Sequence, residues 1–408
     1  MLGAGVVGTA CAWYLRSAGH DVLVVDRQDA AGMETSYANG GQISVSHAEP
    51  WANPGAPLKL LKWLLREDAP LLFRLRADLR QWLWGLQFLR ECLPARTRHN
   101  IVQLVNLGLY SRASLQSLRK ETGIEYHHLG RGILHLYTDP REFEAAEAPA
   151  QLMRELGCDL QPKTPEECVA IEPALAQIRP RLVGGTYSAA DESGDAHKFT
   201  TELARLCAQQ GVQFEFGVSI IGFETEGEKI TGVKTSSSTT IRGDAYVVAL
   251  GSYSPLLVRP LGIRLAIYPA KGYSVTMPVR NPSAANTVSL TDDEHKLVFS
   301  RLGERLRIAG TAELSGYDTT INEVRCRAIL RRTMELFPGA GEPREAQFWA
   351  GLRPSTPSNV PCIGRSRVRN LFLNTGHGTL GWTHACGSGR ALADLVSGRR
   401  PELDFGFC

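Results

Sequence analysis

The first chemistry-bearing residues are three glycines, Gly3, Gly5 and Gly8, in a G-x-G-x-x-G pattern. The first permits a tight strand-to-helix turn, the second lets the backbone approach a pyrophosphate, and the third permits close helix packing. Asp26 ends the apolar run VLVVD, where a carboxylate can accept hydrogen bonds from two ribose hydroxyls. The pattern predicts a dinucleotide site that includes Gly3, Gly5, Val6, Val7, Gly8, Asp26 and Arg27.

The strand that should lead into this turn is nearly missing, because only Met1 and Leu2 precede Gly3. In this fold that strand lies at the centre of the sheet and needs ladder hydrogen bonds on both sides. We therefore expect the natural chain to begin about four residues earlier, as this fold requires. A true start at Met1 would instead predict impaired cofactor retention.

A second very apolar run, AYVVALG, ends at Gly251, more than 200 residues beyond Asp26. Chains that bind NAD usually keep their nucleotide fold contiguous, whereas FAD-binding chains commonly return to the sheet after long insertions. The sequence therefore predicts FAD as the cofactor, with Gly251 in its site.

These residues must be positioned by a sheet and its helices. From Val6 to Ala18 apolar residues recur at helical spacing, and VLVVD is typical of a buried parallel strand. Further helices are predicted in pieces over 58–93 and over 100–122, 141–156, 197–210, 322–337 and up to about 397. Apolar and polar residues alternate over 264–310, which indicates antiparallel strands with one solvated face.

The predicted fold class is α/β: a Rossmann-like parallel-sheet FAD-binding domain built from separated segments, with an inserted antiparallel-sheet substrate domain. The FAD-binding domain is assigned to 1–48, 100–122, 191–262 and 345–408. The substrate, or cap, domain is assigned to 49–99, 123–190 and 263–344.

Composition excludes several classes of function. Forty-five Lys and Arg nearly balance 42 Asp and Glu, so no net field favours nucleic acid. Nine cysteines without a C-x-x-C pair fit a reducing, cytoplasmic compartment. Neither H-E-x-x-H nor clustered Cys and His occurs, so no metal is expected. Without a signal peptide or a run of about 18 apolar residues, the chain is not expected to span a membrane.

Five stretches resemble, in this order, the D-amino acid dehydrogenases of the FAD-dependent D-amino acid oxidase superfamily: ETSYANGGQIS, PWANPGAPLK, YPAKGYSVTMP, GLRPSTP and NTGHGTLGWTHACGSG. The resemblance covers essentially the whole chain. It implies noncovalent FAD, and hydride transfer from the Cα of a D-amino acid to flavin N5. The imino acid would hydrolyse to a 2-oxo acid and ammonia, while electrons pass to a respiratory quinone-type acceptor.

We name D-alanine as the candidate substrate. Two alternatives stay open: a dehydrogenase of D-hydroxyproline or another secondary amine, and a truncated, non-enzymatic relative that binds no FAD.

The resemblance also assigns further cofactor contacts. These are Ser36, Asn39, Gly40, Gly41, Gln42, Gly376, His377, Gly378, Thr379, Leu380, Gly381 and Trp382. The C-terminal glycines let backbone lie against a flat ring, and the following helix N-terminus would favour an anionic reduced flavin. For Trp382, cofactor contact and core packing stay equally open.

Arg353, in GLRPSTP, is our candidate for binding the substrate carboxylate. A guanidinium holds a carboxylate through two parallel hydrogen bonds, and this fixed orientation would select one enantiomer. Tyr268 or Tyr273 could add a hydroxyl donor, although an ordinary half-buried strand tyrosine explains either residue. No catalytic base is required once the substrate amine is neutral.

The segment 58–93 combines basic and apolar residues. In LKLLKWLLR, Lys59, Lys62 and Arg66 form a basic stripe beside leucines, and QWLWGLQFL follows. One interpretation is an interfacial anchor that reaches a quinone in the membrane, which would place the protein peripherally on the cytoplasmic face of the inner membrane. The other, which we favour here, is buried packing against the substrate domain.

Overall fold

A computed structural model describes residues 1–63 and 69–408, apart from the side chains of 61–63. Its α-helices are α1 Val6–Ser17, α2 Ala56–Trp63, α3 Leu79–Glu91, α4 Pro94–Thr122, α5 Pro140–Glu155, α6 Pro165–Ile171, α7 Ala196–Gln209, α8 Ser254–Val258, α9 Glu323–Leu336 and α10 Gly381–Val396. Short 3-10 helices lie at Pro173–Arg181, Gly251–Tyr253, Arg259–Leu261, Pro282–Ala284, Pro343–Glu345 and Gly378–Leu380.

The β-strands fall into several sheets. They are β1 Leu23–Val25, β2 Gln42–Ile43, β3 Leu71–Phe73, β4 Ile133–Tyr137, β5 Gln161–Lys163, β6 Gly184–Ser188, β7 Glu192–Ser193, β8 Gln213–Glu215, β9 Ile220–Glu226, β10 Lys229–Thr235, β11 Thr240–Ile241, β12 Tyr246–Val248, β13 Tyr268–Pro278, β14 Ser289–Asp292, β15 Leu297–Leu302, β16 Arg305–Leu314, β17 Gln347–Ser355, β18 Cys362–Arg365 and β19 Leu371–Thr375.

The central sheet is assembled from distant segments. β8 pairs in parallel with β1, and Leu2 bridges β1 to β12. β12 pairs in parallel with β19, and β18 pairs antiparallel with the other edge of β19. Helix α1 packs against α7 and α10, where a Cβ on Gly389 would lie 2.8 Å from the Cys11 nitrogen. Returning strands and helix packing confirm the predicted α/β class.

Met1 and Leu2, the residues before the glycine turn, hydrogen-bond to strands on both sides. Leu2 donates to Val247 at 2.8 Å and accepts from Ala249 at 2.8 Å, while Val25 donates to the Met1 carbonyl at 2.9 Å. These two residues therefore have their ladder bonds, and the expected earlier start of the chain stays a prediction. Paired on both sides, Leu2 fixes the position of the glycine turn that follows.

A second sheet, called the large sheet, is mainly antiparallel. Its strand order is β17-β13-β16-β15-β14-β4-β6-β5, with β3 added beside β16. The predicted antiparallel strands over 264–310 are confirmed as β13 to β16. β17 pairs with β13 over its whole length, so this strand of the assigned FAD-binding segment belongs to the large sheet. The other domain boundaries stay a prediction.

The segment 58–93 differs in part from the helical prediction. Leu71–Phe73 forms strand β3 instead, because it pairs in parallel with β16. Lys62 and Arg66 of the predicted basic stripe, and the leucines between them, lie outside the described side chains, whereas Lys59 pairs with Glu142 at 3.2 Å. Across the described residues, we find no helix of a length and apolarity that would cross a membrane.

Candidate flavin and substrate site

One cleft runs between the central sheet and the large sheet. Most of the predicted site residues line it together, namely Gly3, Gly5, Val6, Val7, Asp26, Arg27, Ser36, Asn39, Gly40, Gly251, Tyr273, Arg353, Gly376, His377, Gly378, Thr379, Gly381 and Trp382. Residues nearly 380 positions apart in the chain therefore share one surface.

Three predicted cofactor residues lie behind this lining. A Cβ on Gly8 would come within 2.0 Å of the Gly3 carbonyl oxygen, so this glycine permits the turn to close on its helix. Gly41 has φ +81° and donates to the Asn39 side chain at 2.8 Å. Gln42 donates to the Leu290 carbonyl oxygen at 3.2 Å and so ties the loop to the large sheet.

Two more predicted residues lie in the core outside the cleft lining. Leu380 is 8% exposed and packs in an apolar cluster with Val45. Tyr268 is 3% exposed and packs with Trp84 and Phe88 under α3. A direct contact of these two side chains with a ligand stays a prediction.

The N-terminus of α1 opens on the cleft. Gly3 has φ +108°, and a Cβ there would lie 2.6 Å from the Ala249 carbonyl oxygen, so only glycine fits this turn. The first turn holds no acidic residue, and the Val6 amide donates to Ser36 Oγ at 3.0 Å. Without an acidic residue in its own first turn, this helix end suits a phosphate.

Asp26 is held at the end of β1. Its carboxylate accepts from the Ala4 amide at 2.7 Å and from the Gln28 amide at 2.9 Å. Burial raises the pKa of Asp26, while these two donors oppose that shift. The next side chain, Arg27, pairs with Glu34 at 2.6 Å and lies 4.0 Å from the centre of the Tyr253 ring. This end of the cleft therefore matches an adenosine site in its chemistry.

The C-terminal turn supplies the opposite wall. Gly376 and Gly378 have φ +83° and +52°, and α10 begins at Gly381 without an acidic residue in its first turn. Among the described residues, His377 Nε2 and Trp382 Nε1 are buried without a hydrogen-bond partner. Two buried polar groups without a hydrogen-bond partner, on residues that line the cleft, are suited to binding a polar ligand.

Trp382 contacts both the core and the cleft. Its ring centre lies 4.6 Å from that of Phe199 and 5.8 Å from that of Tyr126, so the indole packs in the core. The same residue also lines the cleft. The neighbouring His377 is neutral, because burial and then His384 lower its pKa to about 3. Positive potential at this turn must come from the helix end, not from an imidazolium.

Arg353 brings a cation into the cleft from β17. Its Nη1 donates to the Thr311 carbonyl oxygen at 2.7 Å, and no carboxylate pairs with it within the described ranges. Burial, and then Arg325, lower the pKa of Arg353 to about 10, so it stays charged at neutral pH. A half-buried guanidinium without a carboxylate partner is suited to binding an anionic ligand, whose charge would balance it.

Tyr273 lines the cleft, but its hydroxyl is engaged. It donates to Glu313 Oε2 at 2.6 Å. Glu313 also lies 3.5 Å from Lys271 Nζ, which in turn contacts Asp318 at 3.0 Å. Lys271 is thus ion-paired. Because a tyrosine has one hydroxyl proton, Tyr273 can donate to a substrate only by releasing Glu313.

Sequence reasoning missed several lining residues, above all Gly272, Trp349 and Gly351 on the large sheet. Glycines inside strands were the available signal, because they mark places where a side chain or ligand approaches the backbone closely.

A histidine and acid cluster lies away from this lining. Ligand atoms of His47, His135 and Asp293 lie within 4.8 Å of one another. Asp293 already accepts from His135 at 2.7 Å and from Tyr137 at 3.2 Å, and it pairs with Lys296 at 3.2 Å. These contacts satisfy the carboxylate without a metal, and the expectation of no metal stays a prediction.

The central sheet, the glycine turn and Asp26 together define the class of dinucleotide-binding proteins. Residues 2–395 match the family model described as FAD dependent oxidoreductase (DAO), and the chain belongs to this family. It is an FAD-dependent oxidoreductase. The helix ends, Asp26 and the orphaned polar groups of the cleft are the residues that fit FAD.

The chain is similar to several known proteins. It is 59% identical to the D-amino acid dehydrogenase of Dechloromonas aromatica over 100% of this chain and 98% of the relative. It is 58% identical to that of Paramagnetospirillum magneticum, over 98% and 94%. Glycine oxidase from Geobacillus kaustophilus shares the fold with a TM-score of 0.77 at 22% identity, covering 99% of this chain and 95% of the oxidase.

Proposed function

We propose that the protein oxidises D-amino acids, with D-alanine as a candidate, to 2-oxo acids and ammonia. The names of its relatives support the reaction. The single observation that carries the substrate class is Arg353, a half-buried guanidinium in the cleft that has no carboxylate partner among the described residues.

In this proposal Arg353 binds the substrate carboxylate. Two parallel hydrogen bonds would fix the direction of the Cα hydrogen, so enantiomer choice follows from positioning. FAD, when bound, accepts the hydride equivalent from that carbon. Gly376 and Gly378 bring no side chain to the cleft wall, and the α10 N-terminus would stabilise negative charge on a flavin held there.

No protein base is needed at Cα in this proposal, because the hydrogen leaves as hydride and not as a proton. His377, with a pKa lowered to about 3 by burial and His384, is a weak base, and the Tyr273 hydroxyl is held by Glu313, so neither is arranged to abstract a proton. The substrate enters with a neutral amine, whose lone pair assists hydride departure.

The Arg353 role is tested with Arg353→Leu and the conservative Arg353→Lys. We expect Arg353→Leu to keep its flavin absorbance but lose turnover of D-amino acids with an artificial dye. Loss of one charged, bidentate contact should raise KM by about 10²-fold or more. A panel of D-alanine, D-proline analogues, L-alanine and sarcosine separates the alternatives. Activity confined to L-amino acids would sink the proposal, as would unchanged turnover in Arg353→Leu.

Electron transfer to a membrane quinone is the second part of the proposal. Along α3, Leu79, Leu83 and Leu86 follow one helical face and are 71%, 49% and 65% exposed. The opposite face buries Trp84 and Phe88, so the helix is both packed and apolar on its outside. An exposed apolar stripe of this kind supports peripheral contact with a membrane surface.

A further inference from the structure

Two glycines face each other at the substrate end of the cleft. Gly272 of β13 and Gly351 of β17 are directly paired in the antiparallel ladder. A Cβ on Gly351 would lie 2.0 Å from Trp349 Cη2, and one on Gly272 would lie 2.3 Å from Arg353 Cζ. The indole therefore covers one glycine and the guanidinium covers the other.

The alternation of β17 places these side chains together. Trp349, Gly351 and Arg353 are two residues apart, so all three face the same side of the sheet, and all three line the cleft. Paired Cα atoms in an antiparallel ladder are about 4.5–5.5 Å apart. The indole and the guanidinium, which cover the paired glycines, are therefore neighbours. The distance between these two side chains is about the length of a small amino acid.

We propose that Trp349 is the specificity-determining wall of the substrate pocket, which selects small, uncharged side chains. This inference rests on the proposed function. With its carboxylate on Arg353, a substrate directs its remaining atoms over the glycine pair and toward the indole. Trp349 limits the length of that side chain.

Charge in the cleft supports the same substrate class. Besides Arg353, the charged side chains among the described lining residues are Asp26, Arg27 and Glu34, which belong to the α1 end. A cationic substrate side chain would meet Arg353 without a carboxylate to balance it, and the small Ala309 and the two glycines offer no polar side chain. Uncharged side chains incur no such desolvation cost.

Trp349 is also positioned so that it can be replaced without opening the core. It is half-buried, and its ring centre lies 6.4 Å from that of Tyr37, whose side chain is 41% exposed. The test compares Trp349→Ala and Trp349→Phe with Gln347→Ala. Gln347 is on the same face of β17, but it is exposed and outside the cleft lining.

The experiment measures kcat/KM for D-alanine and D-phenylalanine, with flavin content recorded for each variant. We expect Trp349→Ala to raise the D-phenylalanine to D-alanine ratio by about 10-fold or more, a change typical of altered pocket size. Trp349→Phe should shift it less, and Gln347→Ala should leave it unchanged. An equal fall for both substrates, or loss of flavin from both Trp349 variants, would overturn the inference.

A second readout needs no turnover. Propionate and 3-phenylpropionate are titrated against the flavin absorbance of each holoenzyme, and Trp349→Ala should favour the larger acid by about 10-fold relative to the parent. An inactive parent that still shows this shift would refute the proposed function but retain the size-limiting wall. An active parent without the shift in either readout would refute the wall alone.

Discussion

Substitution of Gly272 by alanine should disable the carboxylate site while leaving the fold intact. Gly272 is in the middle of β13, and its φ lies outside the left-handed region, so alanine fits the backbone. The new methyl group would lie 2.3 Å from Arg353 Cζ and 2.4 Å from Nη2, whereas ordinary contact begins near 3.4 Å. The guanidinium must therefore move by roughly 1 Å, which is the scale at which misplacement costs about 10²-fold in rate.

The structural cost should be limited, because the atoms that must move are the far end of a flexible side chain. The displaced Arg353 would lose its bond to the Thr311 carbonyl oxygen, and a bond from a charged donor contributes about 1.5–3 kcal/mol. We expect Gly272→Ala to lose no more than about 3 kcal/mol of unfolding free energy and to keep its flavin. Its KM for D-alanine should rise by about 10–100-fold.

Dye-linked kinetics, flavin absorbance and urea unfolding on the same preparation separate these effects. Gly351→Ala is the matched control, since its methyl group would meet Trp349 and not Arg353. It should alter the preference between substrate side chains more than the affinity for a carboxylate. An unchanged KM in Gly272→Ala would refute the placement of the substrate carboxylate at Arg353.

Three further outcomes are expected. Gly8→Ala should lower the flavin-to-protein ratio severalfold, because its methyl group would lie 2.0 Å from a backbone oxygen that cannot easily move, whereas Gly85→Ala in open space should leave flavin content unchanged. Leu83→Glu/Leu86→Glu should lose binding to anionic lipid vesicles in flotation and keep dye-linked activity; retained flotation would contradict the membrane contact. Bonds from His128 and Arg119 outweigh burial and lower the pKa of Glu192 to about 2, so its stabilisation is present above pH 4.5 and lost toward pH 2. Glu192→Gln should therefore unfold ~2–3 kcal/mol more easily in urea at pH 7, with a smaller difference from the parent at pH 3.

The sequence alone determined the fold class and the cofactor, because both depend on local chemistry. A turn that only glycine can adopt, an acid at a strand end and a returning apolar strand are visible without coordinates, and the FAD-dependent family confirms them. Arg353 was also identifiable as a candidate from the stretch GLRPSTP, although it lies in strand β17 and not in a loop. Its role stays a prediction.

Tertiary structure decided which of these groups are free to act. Tyr273 looks available in sequence, yet Glu313 engages its hydroxyl once β13 pairs with β16. The apolar side chains of α3 are compatible with burial in the protein or with contact to a membrane. Only the packing of the helix shows which of them are exposed. The position of Trp349 beside Arg353 depends on the register of β13 with β17. A one-residue shift of this register would turn the side chains of the shifted strand to the opposite face of the sheet. No local sequence pattern fixes the pairing between two strands about 80 residues apart.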